Sequence, residues 1–521
     1  MNPSKKHPAL IAYMQLKFAK IKNYIGTVLV LGLFLVHPFF FTSSEVYSNI
    51  TFSKLCSFVA ILSISVFSLI IVVLLFENKP NSGTKASLGK KLRSVRPYEW
   101  AMLAYLLVMI VSTILSENRQ IALIGASYRN EGLLMMTAYL LTALLAGRIY
   151  RSKQWHFAAM GIAALLVCVY GIMQYYGFDP LNFNPFRWNV GPNIIYISTM
   201  SNRNVISTYL TIVFCICAVL FAQTKKHSRW IYLFAGMVVF YMLILGQTES
   251  GYIGLFFAFL FAFPLVATSR ERTGYLLLFL SWCPLSIWIS LRLHTLYPEW
   301  EPSFWLPFEK YLLPVFAFLL IAAAVFLFVK KLPGIPQKLY RITWYSLIVI
   351  MVFVIIISIP KLAEISDHPT IEEANQILQG NFDDRFGSWR GFIWKRAITL
   401  VPEKPLFGYG PDNFMAAFET KFGEEAIEVT NQSYDKAHSE YVQQLVDNGI
   451  LGLLAFLSFF VLIILGARRH MDKPLVVALI LALLCFLGQA FFNFSTPFVH
   501  PISWTLWGIL AGFPFLEEKR V

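Results

Sequence analysis

Long apolar segments repeat along this chain and constrain its fold more than any other feature of the sequence. A helix that crosses a bilayer needs about 20 mostly apolar residues, and about fourteen such segments can be placed here. They lie near residues 24–42, 55–76, 99–116, 132–149, 155–177, 204–223, 229–246, 250–268, 275–293, 311–330, 341–360, 449–467, 474–493 and 497–515. Of the 521 residues, 57% are hydrophobic and 14% charged, which is more apolar surface than a water-soluble fold buries. The sequence predicts an all-α membrane protein, a polytopic helical bundle of about 12–14 transmembrane helices with a helical extracytoplasmic cap in one long loop.

The distribution of Lys and Arg predicts how these helices are oriented. Loops on the cytoplasmic side of a membrane protein carry an excess of basic residues. Alternate connections, beginning with the N-terminus, hold 28 of the 43 basic residues. We therefore expect a multi-pass protein of the cell (cytoplasmic) membrane, with both termini cytoplasmic and the long segment 361–448 outside. The net charge of +14 is typical of a membrane protein with basic cytoplasmic loops, so we expect membrane lipids as partners and no nucleic acid.

Segment 361–448 differs in composition from the rest of the chain. It contains 15 of the 29 acidic residues and only 8 basic ones, with Gly and Pro between two helical stretches. A loop of this length between spans is seldom a simple connector. We expect residues 1–360 to form about eleven transmembrane helices, 361–448 an extracytoplasmic loop domain that carries function, and 449–521 about three further helices.

Other features of the sequence point to a membrane bundle without a disulfide framework. The first apolar segment follows a basic head and has no small-residue cleavage pattern after it, so we expect it to remain as an anchor. The six cysteines lie inside apolar segments without paired spacing and are expected to be packing residues.

A polar stretch, AHSEYVQQLVDNGILG (437–452), runs directly into the twelfth apolar segment. On a helix, His438, Tyr441, Val442 and Leu445 would share one stripe, and the imidazole would point into a cavity beneath the cap. An interfacial helix with His and Tyr anchored among lipid headgroups fits the same spacing. The residues alone leave both interpretations open.

This stretch resembles the O-antigen ligase and O-antigen polymerase superfamily, in which a His opens a helix ending in a Gly-hydrophobic-hydrophobic-Gly step. GSWRGFIWKRAITLVPEKPLFGYGPDNF, upstream in the same loop, is similar to the family's Arg, Trp, Pro-Leu-x-Gly-x-Gly and Phe pattern. The matching residues are Arg390, Trp394, Pro405, Leu406, Gly408, Gly410 and Phe414. SYRNEGLL and MSNRNVIS look like the family's external-edge motifs, with Arg129, Glu131, Gly132, Asn202 and Asn204. The resemblance covers about residues 100–510.

The resemblance implies a membrane glycosyltransferase of the GT-C-like kind. Its donor would be a glycan linked to a polyprenyl-pyrophosphate carrier, and its acceptor a hydroxyl of a lipid, glycan or protein at the outer face. Ligase and repeat-unit polymerase share this chemistry, and the sequence does not separate them. A polysaccharide transporter or flippase is the alternative that the many spans suggest. Ionisable residues concentrate in loops and at span edges, not at mid-membrane, which favours the enzyme.

Arginine suits the leaving group of this reaction, because a guanidinium binds phosphate oxygens in bidentate fashion. Arg390 is the candidate catalytic arginine, and Arg129, Arg203 and Arg385 are candidate substrate-binding residues. Arg385 follows two aspartates, a position more typical of a cap ion pair. Where the family often has a Ser-Arg pair, this chain reads QTESGYIG, with Gly251 in place of the arginine. Either Arg203 or Arg129 is expected to replace it, or the site works with a changed arrangement of cations.

His438 is the candidate catalytic base, since histidine titrates near neutral pH and can accept the proton of the acceptor hydroxyl. Asn204 and Tyr441 are further candidates for substrate binding, and Glu440 is a candidate orienting group on another helix face. The acidic residues of the loop are scattered, so we expect no metal and no cofactor.

Overall fold

The computed structural model describes residues 3–41, 46–77, 95–127, 129–183, 190–195, 197–298, 300, 303, 305–329, 337–365, 369–494 and 496–517. These residues form α-helices and short helical turns, and no β-strand is present among them. The α-helices are α1 (Pro3–Leu31), α2 (Val46–Glu77), α3 (Pro97–Leu115), α4 (Arg119–Ile124), α5 (Leu133–Ile149), α6 (Gln154–Tyr175), α7 (Arg203–Gln223), α8 (Arg229–Gly246), α9 (Glu249–Val266), α10 (Arg270–His294), α11 (Glu309–Phe328), α12 (Gln337–Ile365), α13 (Pro369–Leu378), α14 (Phe386–Leu400), α15 (Phe414–Thr430), α16 (Glu440–Ala467), α17 (Pro474–Gln489) and α18 (His500–Glu517).

The prediction of an all-α, polytopic membrane protein is confirmed. Within the described ranges, ten helices are long and apolar enough to cross a membrane. Each predicted segment coincides with an observed helix, and the four beyond these ten are α5, α9, α17 and α18. Three of the four contain shorter apolar stretches, Leu133–Ile149, Glu249–Phe261 and Pro474–Gln489.

Helix α7 lies at the centre of the bundle. Its side chains from Val205 to Gln223 are buried, and it packs against α8, α9, α10 and α17. Helix α12 is exposed along most of its apolar length, as expected for a helix that faces lipid. The bundle therefore supports the polar residues at the N-terminus of α7 on a fully packed helix.

Helix α16 joins the loop domain to the bundle through a kink at Gly449. Gly449 has φ 68° and ψ −173°, and a Cβ there would lie 2.4 Å from the Leu406 backbone. Gly410 donates its N–H to the Asp447 carbonyl at 2.8 Å, and Ile450 donates to Pro405 at 2.9 Å. The kink falls at the residue where the sequence predicts the change from a polar helix to a span, and the 405–410 turn packs against it.

The segment after α13 has a hydrophobic core of its own. Helices α14 and α15 pack together with residues 434–437 and the first turns of α16. The buried members of this core are Phe392, Ile393, Ala397, Leu400, Phe414, Phe418, Ala426, Tyr434, Ala437 and Val446. We call residues 369–439, which include α13, the cap. Its core fixes α14 against the residues that precede α16.

Candidate active site

Arg390 follows three consecutive residues in the left-handed region of the backbone. Gly387, Ser388 and Trp389 have φ values of 59°, 58° and 72° within α14. Left-handed conformations are costly for residues with a Cβ, so neighbouring contacts must hold this turn. The Gly387 N–H donates to Glu373 Oε1 at 3.2 Å, and Arg390 Nη1 donates to the Gly387 carbonyl at 2.5 Å. The turn therefore fixes the guanidinium.

Carbonyl groups, not carboxylates, hydrogen-bond the Arg390 guanidinium. Nη1 donates to Gly387 and Nη2 to the Phe492 carbonyl at 3.2 Å, while Nε is buried without a partner in the described structure. Burial lowers the pKa of Arg390, and the nearby charges of Glu249 and Glu373 oppose this effect. A guanidinium has five N–H donors, so this one retains donors and charge for an anion.

A hydrogen bond from Trp394 links the helix of Arg390 to the residue before His438. Trp394 lies one turn beyond Arg390 on α14, and its indole Nε1 donates to the Ala437 carbonyl at 2.9 Å. The Ala437 N–H donates to Gln443 Oε1 at 2.9 Å. The structure thus brings the two predicted catalytic residues together, and the charge of Arg390 acts on the His438 imidazole.

His438 lies before α16, and the prediction that it shares a helix stripe with Tyr441 is wrong. His438 has φ 51°, in the left-handed region, so it cannot form part of the α-helix that follows. Ser439 is the N-cap and Glu440 the first residue of α16. A carboxylate in the first turn is favoured by the helix dipole, which explains why the helix begins at Glu440.

The His438 imidazole is half-buried among an aromatic ring and three charged groups. It packs edge to face on Phe494, with ring centroids 5.1 Å apart. The pKa of His438 is lowered to about 4, mainly by burial and next by the Arg390 cation; Asp435 opposes this lowering, and Arg129 adds to it. The imidazole makes no hydrogen bond to a described residue, and it is neutral at pH 7.

Arg129 and Asp435 form an ion pair beside His438. Arg129 Nε and Nη2 lie 2.7 and 2.6 Å from Asp435 Oδ2. Burial raises the pKa of Asp435, but the Arg129 charge and hydrogen bonds outweigh burial and hold it below its usual range. Two of the predicted arginines, Arg390 and Arg129, therefore lie near the candidate base.

Arg203 and Asn204 begin the first turn of α7, which contacts Asn493, the residue before Phe494. Arg203 Nη1 lies 3.4 Å from the Pro192 carbonyl, a long hydrogen bond. The Asn204 carbonyl accepts a hydrogen bond from Asn493 Nδ2 at 2.9 Å, one residue before Phe494. The described charged groups that act on His438 are Arg390, Asp435 and Arg129, and Arg203 is not one of them.

Glu440 and Tyr441 point into the bundle. The Glu440 side chain is buried, accepts a hydrogen bond from Gln444 at 2.9 Å and lines a small cavity together with His500. The Tyr441 hydroxyl donates to the Leu487 carbonyl at 2.6 Å. Their described contacts fix the first turn of α16 against α17 and the 490–500 segment.

Arg385 lies apart from Arg390 and His438. Its side chain is exposed, its guanidinium lies 6.0 Å from the Trp389 ring, and no described contact links it to the site. Position 251 also faces elsewhere, because a Cβ on Gly251 would lie 3.0 Å from Leu243 and 3.6 Å from Ser207. Gly251 is thus packed against α7 and α8.

Four residues of the site were not predicted from the sequence: Glu249, Glu373, Asp435 and Phe494. Asp435 had a usable signal, since it lies three residues before the candidate histidine. Glu249 lies two residues before Gly251, within the QTESGYIG stretch. Glu373 and Phe494 have no local pattern. In the described part of the chain, no group of three or more His, Cys, Asp or Glu side chains is arranged to hold a metal ion.

The fold and the site define a multi-pass, all-helical membrane protein whose cap presents an arginine and a neutral histidine together. A family model described as O-antigen ligase matches residues 257–457, which include α14, α15, His438 and the first turns of α16. The predicted resemblance to the O-antigen ligase and polymerase superfamily is confirmed over this segment, and the match supports glycosyl transfer of that general type. No curated protein matches the chain.

Proposed function

We propose that this protein transfers a glycan from a polyprenyl-pyrophosphate carrier to an acceptor hydroxyl at the outer face of the cytoplasmic membrane. The observation that carries the proposal is the link from Trp394 to Ala437, which sets Arg390 and His438 beside each other. A free imidazole and a guanidinium with unused donors are the two groups that this transfer requires. The family match supports the general reaction type.

In the proposed step, the acceptor oxygen attacks the anomeric carbon of the donor while its proton passes to neutral His438. The bond from the anomeric carbon to the phosphate oxygen breaks, and its electron pair remains on the lipid pyrophosphate. His438 is suited to receive the proton because its pKa of about 4 keeps it unprotonated at neutral pH. The low pKa also makes His438 a weak base. Burial and the neighbouring cations therefore keep the imidazole neutral and ready to accept a proton, but they lower its proton affinity.

Arg390 is proposed to bind the departing pyrophosphate. Its hydrogen bonds to the Gly387 and Phe492 carbonyls orient the group without neutralising it. Charge that grows on phosphate oxygens in the transition state is stabilised by donors already in place. Arg129, whose charge reaches His438, is favoured over Arg203 as the replacement for the arginine absent at Gly251.

Repeat-unit polymerase remains the second candidate within this proposal, because the same step joins two glycans. The size ladder and attachment point of envelope glycans in a deletion strain would separate the two. Single units still attached to their acceptor would indicate a polymerase, and full-length polymer left on carrier lipid would indicate a ligase.

The direct experiment uses the purified protein in liposomes with a synthetic polyprenyl-pyrophosphate glycan and a hydroxyl acceptor. We expect release of polyprenyl pyrophosphate in step with formation of glycosylated acceptor, followed by mass spectrometry. Movement of intact donor across the bilayer without its consumption would replace this proposal with a flippase.

A further inference from the structure

Lys436, two residues before His438, is buried among carboxylates. It is 2% exposed, and its Nζ lies 2.6 Å from Asp412 Oδ1 and 3.5 Å from Glu131 Oε2. A buried ammonium is costly unless it is paired and hydrogen-bonded. Asp412 is the closer of the two partners. Burial alone would lower the pKa of Lys436, but the surrounding carboxylates outweigh burial and raise it.

Asp412 connects Lys436 to two other segments. Its Oδ2 accepts N–H groups from Ala126 at 2.8 Å and from Glu131 at 3.2 Å, both in the connection between α4 and α5. Its own N–H donates to Asp447 Oδ2 at 3.1 Å, in the first turns of α16. Asp412 therefore links the 125–132 connection through its carboxylate, and α16 through its backbone N–H, to Lys436 and the backbone that carries His438.

Glu131 contributes hydrogen bonds more than charge. The pKa of Glu131 is raised to about 8, mainly by burial; Lys436 opposes this rise, and Asp412 adds to it. At neutral pH most Glu131 side chains are therefore protonated and uncharged. The buried positive charge of Lys436 is balanced by the Asp412 carboxylate. Tyr139 donates to Glu131 Oε1 at 3.3 Å and closes the cluster toward α5.

The chain between Lys436 and His438 is fixed at each residue. Lys436 is held by its side chain, and Ala437 by hydrogen bonds at both its N–H and its carbonyl. His438 follows in a left-handed conformation, and its imidazole makes no hydrogen bond to a described residue. The backbone, and not a partner of the imidazole, therefore determines where the imidazole lies.

We propose that Lys436 is a positioning residue, whose ion pair with Asp412 holds the His438 backbone so that the imidazole faces Arg390 and Phe494. The inference rests on the proposed role of His438 as the base. Without the ammonium, the buried Asp412 carboxylate is left without a cation, and the 435–438 segment must shift to let water reach it.

The kinetic test compares Lys436→Met, Lys436→Arg and Asp412→Asn with Lys421→Met as the matched control. Lys421 pairs with Glu403 on the exposed surface of the cap. We expect kcat per folded molecule to fall about 100-fold in Lys436→Met and Asp412→Asn, since a shift of about 1 Å can cost that much. The KM for the donor and all constants of Lys421→Met should stay near wild type, and Lys436→Arg should recover part of the loss. Wild-type kcat in Lys436→Met and Asp412→Asn would overturn the inference.

The second readout is the titration of His438 itself, which needs no substrate. Arg390, Arg129 and Asp435 are the charged groups that act on the imidazole, and burial is the largest effect. A displaced imidazole would be more hydrated, so its pKa should rise from about 4 toward its ordinary value of 6.5. Only a neutral imidazole reacts with diethyl pyrocarbonate, so the pH dependence of His438 modification, followed by peptide mass spectrometry, gives the pKa.

The two readouts separate failure of the inference from failure of the proposed function. A shifted titration in Lys436→Met, in a protein that transfers no glycan even as wild type, would refute the proposed function and support the positioning role. An unchanged titration and unchanged kcat in an active enzyme would refute the positioning role alone. If Lys436→Met does not fold, Asp412→Asn decides, because it keeps the shape of the side chain while removing its charge.

Discussion

His438 and Phe494 pack edge to face with ring centroids 5.1 Å apart, and the Arg129 guanidinium lies 5.0 Å from the centroid of the same phenyl ring. The neutral imidazole and the Arg129 cation thus contact the same phenyl ring. The charge of Arg129 acts on the imidazole, which makes no hydrogen bond to a described residue.

The acid limb of kcat/KM should lie near pH 4. The base must be neutral to accept a proton, and the pKa of His438 is lowered to about 4, mainly by burial. Activity should therefore be constant between about pH 5 and 7 and fall as the pH drops through about 4. An acid limb at pH 6.5 in folded wild-type protein would mean that the imidazole is solvent-exposed and has its ordinary pKa, which would contradict this prediction.

Two substitutions should move this limb in opposite directions. Arg129→Gln removes a cation that lowers the pKa of His438, so the limb should rise; Asp435→Asn removes an anion that raises it, so the limb should fall. Shifts of the same sign in both variants would mean that loss of the ion pair, not charge, controls the titration.

Arg390→Lys should lose most activity although the charge is kept. An ammonium cannot make the paired contacts of a guanidinium, and a hydrogen bond to a charged group contributes about 1.5–3 kcal/mol, or roughly 10- to 100-fold in rate. The exposed Arg385→Lys is the matched control and should remain near wild type. Steady-state rates of pyrophosphate-lipid release measure both, and equal rates in the two variants would argue against a bidentate role.

Gly449→Ala should destabilise the junction of cap and bundle by about 1–3 kcal/mol, because its positive φ strains any residue with a Cβ. The new Cβ would also lie 2.4 Å from the Leu406 backbone. Gly423→Ala, in the interior of α15, meets only the Glu419 side chain at 3.5 Å and should stabilise by about 1 kcal/mol. Thermal unfolding in detergent compares them, and a lower Tm for Gly423→Ala than for Gly449→Ala would contradict this account.

A cysteine introduced in the cap should be labelled from outside the cell. Thr420 and Lys225 are both exposed, the first in the cap and the second in the connection between α7 and α8. A membrane-impermeant maleimide on intact spheroplasts should label Thr420→Cys and not Lys225→Cys, with the wild-type protein as background. The reverse pattern would place the cap in the cytosol, where the proposed donor is not delivered.

The helical spans and the Arg390 to His438 pair could be predicted from the sequence. Each span is a continuous apolar segment, and this information is local. The pair was predicted through motifs, in which Gly408, Gly410 and Gly449 occupy positive-φ positions that few other residues tolerate. Spacing alone favoured a headgroup anchor for His438.

The placement of His438 ahead of α16 could not be read from periodicity. A left-handed φ at a residue other than glycine leaves no compositional trace, although Ser439 and Glu440 form a recognisable N-cap and first turn. The partners of the site depend on long-range packing. Phe494 is brought in by the segment before α18, and Glu131 reaches Lys436 from the connection before α5.

The most direct measurement of the central claim is the single-turnover rate of glycan transfer by His438→Ala with saturating donor and acceptor. Loss of a positioned base should lower the rate about 10²- to 10⁴-fold. His227→Ala, on an exposed histidine in the connection between α7 and α8, should keep the wild-type rate. A folded, membrane-inserted His438→Ala that transfers glycan as fast as wild type would contradict the account.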